Sequence, residues 1–330
     1  ISKEYRLDYS RSLLNFSSTY TNRRDFYVLQ NILLGWSYEW KNKNRTWIYR
    51  PLNIELYRVE PLKGLQDAIQ KSPFLGYAFN DGNVAAQFLS VTQTFGNAKR
   101  NSSLKLNVEE SGSLIGLIKG LQSNIFRYVK TDIEYKWLLQ KYSNAWAFRA
   151  FMGFGYNYGN DPNIGKTLPF FKQYIAGGPN SMRAWPLRQL GLGSSIKNDT
   201  ASQFKDRFGD MQLEINMEYR FKIMKIAGVD LNGGWFVDIG NVWNVSKDPT
   251  NSGSEFRFKN LYQDLAIGSG IGLRLDFKYF LLRGDFGFRL KDPARQKNNG
   301  WIENVEFKSI DATGNVRSNT AFQIGIGLPF

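Results

Sequence analysis

The side chains able to do chemistry in this 330-residue chain are almost all charged ones, because it holds no Cys and no His. That excludes a thiol nucleophile, a disulfide, a histidine general base and a zinc site of the usual nitrogen and sulfur kind. No Ser sits in a nucleophile elbow. No catalytic residue, metal ligand or cofactor is therefore expected, and an enzyme is not the reading. What remains is ion pairing. The formal charge is +14, which fits nucleic acid, an anionic membrane surface, or neither. Lys and Arg are spread along the chain rather than blocked in one tail, which argues against a nucleic-acid partner. The glycine-rich stretches 153–159 and 268–272 superficially suggest phosphate loops. They lie inside strand-like runs, so small residues lining an interior are the better reading.

The elements that must position these charges read as strands. Residues 211–221 place Met211, Leu213, Ile215, Met217, Tyr219 and Phe221 on one face. Gln212, Glu214, Asn216, Glu218 and Arg220 fall on the other. A helix of period 3.6 would give this pattern no coherent face. The same alternation recurs over 125–137, 146–156, 267–277 and 282–290, and Asp238 alternates with Trp235, Val237 and Ile239. Thirteen such runs are expected, at 4–20, 26–40, 46–59, 84–96, 102–110, 124–139, 145–157, 168–176, 207–221, 230–244, 265–278, 281–291 and 319–330. Residues 61–78, 245–263 and 292–318 read as loops, the first with a short helical pattern at Leu65, Ala68 and Ile69.

Strands this long exceed the usual globular length of about 5–6 residues and suit a tilted membrane-spanning strand of about 9–11. One face is apolar and the other charged on strand after strand. Turning the apolar face inward in a sheet this wide would leave an interior too large to fill, whereas turning it out to lipid does not. The expected fold is all-β, a transmembrane antiparallel barrel. No run of 18 apolar residues offers a membrane helix. The aromatic content of 15% suits interfacial girdles. The final stretch places Phe322, Ile324, Ile326, Leu328 and Phe330 on one face, against Gln323, Gly325 and Gly327. A last strand ending on an aromatic residue reads as an assembly signal, recognised by strand addition to its free edge.

Residues 170–193 carry a further motif: Gly177-Gly178, then Ser181-Met182-Arg183-Ala184-Trp185. This resembles the loop motif of the BamA/TamA superfamily of outer-membrane assembly and secretion barrels. Asn216 to Phe221, Phe236 to Trp243, Gly284 to Pro293 and the terminal strand resemble the family's later strands. The wording Gly-Gly-x-Asn-Ser-x-Arg-Ala-Trp is most similar to the TamL branch of Bacteroidetes-type bacteria. The resemblance implies a barrel of sixteen strands behind periplasmic POTRA domains. It also implies a loop, here 176–206, that folds into the lumen and sets Arg183 against inner-wall carboxylates, here Glu218 and Asp238. From the residues alone, Arg183 also fits a solvated loop position, and Trp185 fits either a luminal anchor or a girdle. Ala184 stands where the family has Gly, which leaves the backbone path of the loop open.

With about thirteen strands legible and no POTRA domain, the first strands and the periplasmic part are expected to lie outside residues 1–330. The resemblance implies an integral protein of the bacterial outer membrane that inserts or exports client proteins through a lateral seam, with a link to lipid transport between the membranes also open. Its partners would be outer-membrane lipid or lipopolysaccharide, nascent client proteins and a periplasm-spanning or inner-membrane subunit. The competing reading is a passive porin-like channel or secretion pore.

Overall fold

The computed structural model describes residues 9–71, 73–97, 99–113, 125–159, 166–195, 206–249, 251–295, 297–303, 307–310 and 316–330. Eleven long strands follow one another as β1 (Tyr9–Arg23), β2 (Tyr27–Asn42), β3 (Arg45–Pro61), β4 (Gly82–Gly96), β5 (Arg100–Ser111), β6 (Tyr128–Lys141), β7 (Asn144–Asn157), β8 (Met211–Ile226), β9 (Val229–Trp243), β10 (Ala266–Asp276) and β11 (Leu281–Lys291). A small hairpin, β12 (Lys308–Ile310) and β13 (Val316–Ser318), precedes the last strand, β14 (Thr320–Ile326). Two short helices, α1 (Lys63–Lys71) and α2 (Pro73–Ala78), lie between β3 and β4. All pairings between these strands are antiparallel, and one sheet runs β1-β2-β3-β4-β5-β6-β7-β8-β9-β10-β11-β14. Its two end strands, β1 and β14, are not paired with each other.

The burial pattern is inside out relative to a soluble protein. Ile271 and Phe322 are 62% and 64% exposed, while Glu218 and Asp238 are fully buried. Water would reverse this arrangement, because an apolar side chain gains by leaving water and a charge loses unless it is paired. Lipid on the convex face removes the conflict, and the charged row faces a shared interior. Among the described residues no helix is long and apolar enough to cross a membrane, so the crossing falls to the strands. From β2 onward, connections alternate in length. Lys43–Asn44, Tyr142–Ser143 and Ala227–Gly228 close tight hairpins at one end, and the connection from β7 to β8 runs from 158 to 210 at the other. Short turns at one end and long loops at the other are the usual asymmetry of outer-membrane barrels.

Twelve of the thirteen expected strands form, and residues 168–176 do not. There the amides of Lys172 and Gln173 both donate to Pro169 O, at 2.8 and 3.1 Å, which makes a turn. Leu168, Phe170 and Tyr174 are buried against other loop and wall residues rather than alternating between two faces. Their apolar run belongs to a loop core, which periodicity over so short a stretch cannot separate from a strand. The expected loop 292–318 contributes the β12–β13 hairpin. The expected luminal loop 176–206 is described except for 196–205, which lie outside the described residues.

Candidate functional site

The site is built on the concave face where β8, β9, β10, β11 and β14 run side by side. The register sets Asn216 opposite Asp238 and Glu218 opposite Phe236. It continues with Asp238 beside Gly268 and Phe236 beside Gly270, then Gly272 beside Asp285 and Arg274 beside Arg283, and finally Asp285 beside Gln323. Strands of period 2 send these residues to the same face at every crossing. Glycines 268, 270, 272 and 287 leave a trough in that face, and the loop after β7 lies in it. A Cβ on Gly287 would come within 2.9–3.0 Å of Ala184 Cα and N and Arg183 O. Residue 287 therefore has to be Gly for the loop to approach this closely.

The loop itself turns at Gly177 and Gly178, whose φ angles are +99° and +87°. Only Gly takes such angles without strain. Gly178 N donates to Trp185 O at 2.9 Å and Trp185 N to Met182 O at 3.0 Å, closing a compact bend. Met182, Ala184, Trp185, Leu190 and Leu192 pack with Val242 and Ala266 into one buried cluster. Trp185 is thus a core residue of the loop and not part of an interfacial girdle. Ala184 keeps a negative φ and is fully buried, so the absence of Gly there costs the bend nothing.

Arg183 lies at the centre. Its Nε and Nη2 donate to the two oxygens of Asp238 at 2.9 and 2.8 Å, a bidentate fork. Its main-chain N–H adds a bond to Asp238 Oδ2 at 3.0 Å. Nη1 donates to Glu218 Oε2 at 2.5 Å. The guanidinium carbon sits 3.6 Å from the Phe236 ring centroid, within cation–π range. Asn216 steadies Asp238 from below through a 3.0 Å bond. Ser181 donates to Glu214, and Asn216 Nδ2 donates to Ser181 O at 3.2 Å, so the loop is tied to β8 a second time, two residues before the arginine.

Four further residues complete the network, and sequence reasoning did not single them out. Glu218 also receives Arg220 at 2.8 Å and Arg274 at 2.9 Å. Asp285 pairs with Arg274 at 3.2 Å and Arg283 at 3.3 Å, and Arg283 reaches back to Asn180 Oδ1 at 2.8 Å. Four guanidiniums thus face three carboxylates. The alternation had put Arg220, Arg274, Arg283 and Asp285 on polar faces, but period alone does not say which polar residues meet across neighbouring strands.

The last strand meets the same loop. Gln323 Nε2 donates to Trp185 O at 3.0 Å. Phe322, Ile324, Ile326 and Leu328 are exposed on the convex face. Phe330 is not, contrary to the expectation that all five share one face. β14 ends at Ile326, and Gly327 with φ +80° turns the chain out of the ladder. Pro329 has no N–H to continue the pairing. The Phe330 ring then lies 5.6 Å from the Arg220 guanidinium and 5.9 Å from that of Arg183. Arg220 Nη2 donates to Phe330 O at 3.2 Å. This turn separates Phe330 from the alternation that its neighbours obey.

Among the described residues no group of three or more carboxylates could hold a metal ion. What the arrangement can do is hold a loop against one wall and touch the strand at the sheet's end.

Comparison with known proteins bears on what such an arrangement serves. A family model described as the Omp85 superfamily domain matches residues 88–330. Among solved structures, the chain is similar to BamA from Haemophilus ducreyi lacking POTRA domains 1–3, with a TM-score of 0.63 at 12% identity, over 96% of this chain and 59% of that one. It also matches CdiB from Escherichia coli, with a TM-score of 0.49 at 12% identity, over 86% of this chain and 46% of that one. The chain therefore spans about three fifths of the BamA chain it matches. A search of curated proteins returns no match.

Proposed function

We propose that this chain, which belongs to the Omp85 superfamily and is an integral β-barrel protein of the bacterial outer membrane, is the membrane part of an assembly or translocation machine. It inserts or exports client outer-membrane proteins through a seam between β14 and the strand that closes the barrel. The finer reading is a TamL-type barrel whose work is linked to lipid transport between the membranes, with a periplasm-spanning or inner-membrane subunit as partner. POTRA domains and further strands belong to the same reading, as does a luminal role for the loop motif. The terminal face of Phe322, Ile324, Ile326 and Leu328 serves as the signal that guides this barrel's own assembly.

The observation that carries the reading is the contact between loop and end strand. Arg183 fixes the loop to Glu218 and Asp238, and the same loop holds β14 through Gln323 and Trp185 O. A passive pore has no need to tie a lumen-filling loop to its last strand. The test is depletion of the protein, followed by an outer-membrane proteome and a lipid-asymmetry assay. Loss of several unrelated barrels supports client insertion, and surface phospholipid with an intact proteome moves the reading to lipid transport. An unchanged membrane, with a large stable conductance from the purified protein, replaces it with a passive pore.

A further inference from the structure

A second ionic cluster holds the same loop before Gly177, against β3 and β5 rather than β8 and β9. Lys172 Nζ is 2.9 Å from Glu55 Oε1 on β3 and 2.9 Å from Glu109 Oε1 on β5. Both carboxylates are oriented from behind, because Tyr57 donates to Glu55 and Tyr128 donates to Glu109. From β6, Lys130 Nζ donates to Lys172 O at 2.8 Å and lies 4.3 Å from the Tyr174 ring centroid. The Tyr174 hydroxyl donates to Asp132. Phe171, the neighbour of Lys172, stacks on Tyr57 at 3.4 Å between centroids. None of these residues belongs to the Gly-Gly…Arg motif or touches Arg183.

The chemistry differs from the arginine site. There a planar fork grips one carboxylate in two places. Here a compact ammonium sits between two carboxylates on strands that are not neighbours, and bridges them at 2.9 Å each. An ammonium offers three donors from one point, which suits a junction of Glu55 and Glu109. Burial opposes the charge on Lys172, and Glu109 and then Glu55 outweigh it, holding its pKa above the ordinary lysine value.

We propose that Lys172 is a second, independent anchor of the luminal loop, holding residues 167–175 to β3 and β5 while Arg183 holds residues 177–185 to β8 and β9. The loop is then a strap fastened at two points on different strands of the sheet. Each half carries its own reporter bonds. Phe170 N donates to Ala78 O at 3.0 Å and Tyr174 N to Gly209 O at 2.7 Å on the Lys172 side. Gly178 and Trp185 report the Arg183 side.

The experiment is amide hydrogen exchange on the full-length protein in lipid, with heat-modifiable gel mobility as the check that the barrel has formed. In Lys172→Met the amides of Phe170 and Tyr174 are expected to exchange at least tenfold faster, with Gly178 and Trp185 changed less than twofold. Arg183→Ala is expected to give the reverse. Lys172→Arg restores the charge and is expected to recover most of the protection, which a mere packing role for the lysine stem would not require. Unchanged exchange at Phe170 and Tyr174 in folded Lys172→Met overturns the proposal. Equal loosening of both halves in either variant also overturns it, because the loop would then be one cooperative unit. Should the Met variant fail to form a barrel, Glu109→Gln removes one of the two partners. A threefold or greater acceleration confined to Phe170 and Tyr174 supports the anchor, and no acceleration overturns it.

Discussion

Replacing Arg183 by Ala tests the central geometry. The substitution strands two buried carboxylates, but not equally. Glu218 keeps Arg220 and Arg274 at 2.8 and 2.9 Å, so its charge remains paired. Asp238 keeps only the Asn216 amide and the main-chain N–H of residue 183, each at 3.0 Å. One carboxylate is therefore left without a cation in a fully buried site. Removing one partner of a buried pair costs about 3–5 kcal/mol, and the two remaining donors on Asp238 place this case near the lower end. About 3 kcal/mol corresponds to roughly a 150-fold shift in the equilibrium between docked and released loop, at about 1.4 kcal/mol per tenfold. The assay is hydrogen exchange at Gly178 and Trp185, whose bonds close the bend. A double-mutant cycle with Asp238→Asn supplies the control. Removing both members leaves no orphaned charge, so Arg183→Ala/Asp238→Asn is expected to recover at least half of the protection lost in the single variant. Arg183→Lys keeps the charge and loses the fork, and should fall between the wild type and Ala. A folded Arg183→Ala protein with exchange within threefold of wild type refutes the reasoning. A double variant as loose as the single one refutes it as well.

Three other predictions rest on separate contacts. Gly287→Val pushes a side chain into Ala184 and Arg183 O, so it should loosen Gly178 and Trp185 much as Arg183→Ala does while leaving the charges intact; an unperturbed loop would show that the trough has slack. Ile271→Arg puts a charge on a convex position that is 62% exposed, and should lower barrel stability in lipid by about 2–4 kcal/mol in a denaturant titration; a change under 0.5 kcal/mol would mean that this face does not meet lipid. Asp210, in the loop one residue before β8, accepts from Leu168 N at 2.9 Å, and burial pushes its carboxyl up to about 6. A folded-state value above the unfolded one, about 3.9, means that the folded form holds the extra proton between those values. Its contribution is thus fully present below about pH 4 and lost as pH rises through 6, by about 3 kcal/mol in all. Protection at Leu168, corrected for intrinsic exchange, should fall over that window in the wild type and stay flat in Asp210→Asn; a flat wild-type profile would contradict the assignment.

How much of this was legible in the sequence depends on the range of the interaction. Period 2 is local, so the strand at 211–221 and the polar face bearing Glu218 could be read directly. The run at 168–176 failed because a nine-residue stretch rich in apolar residues, packing into a loop core, has the same composition as a short strand. Phe330 failed for a related reason: alternation assumes the ladder continues, and Gly327 ends it. Arg183 drew attention through its motif, whereas Arg220, Arg274, Arg283 and Asp285 did not. Their meeting is set by register across β8 to β11, and register depends on pairings between residues tens of positions apart. Lys172 was hidden more deeply still, since Glu109 and Glu55 lie 63 and 117 residues away from it.

The loop and the end strand share one energetic unit, and the reason is the division of labour between the two carboxylates of the arginine site. Asp238 serves Arg183 and Asn216, so it responds to the loop and to little else. Glu218 is shared by Arg183, Arg220 and Arg274, and Arg220 in turn faces Phe330. Withdrawing Arg183 removes one of three cations from Glu218 and leaves Arg220 and Arg274 at their 2.8 and 2.9 Å contacts. The Phe330 ring loses the Arg183 guanidinium at 5.9 Å and is left with Arg220 alone. At the same moment Trp185 O leaves Gln323. Release of the loop therefore weakens β14 at its middle and at its end together. β14 has only one paired neighbour, β11, so it is the strand in this part of the sheet with the least to hold it once those contacts go.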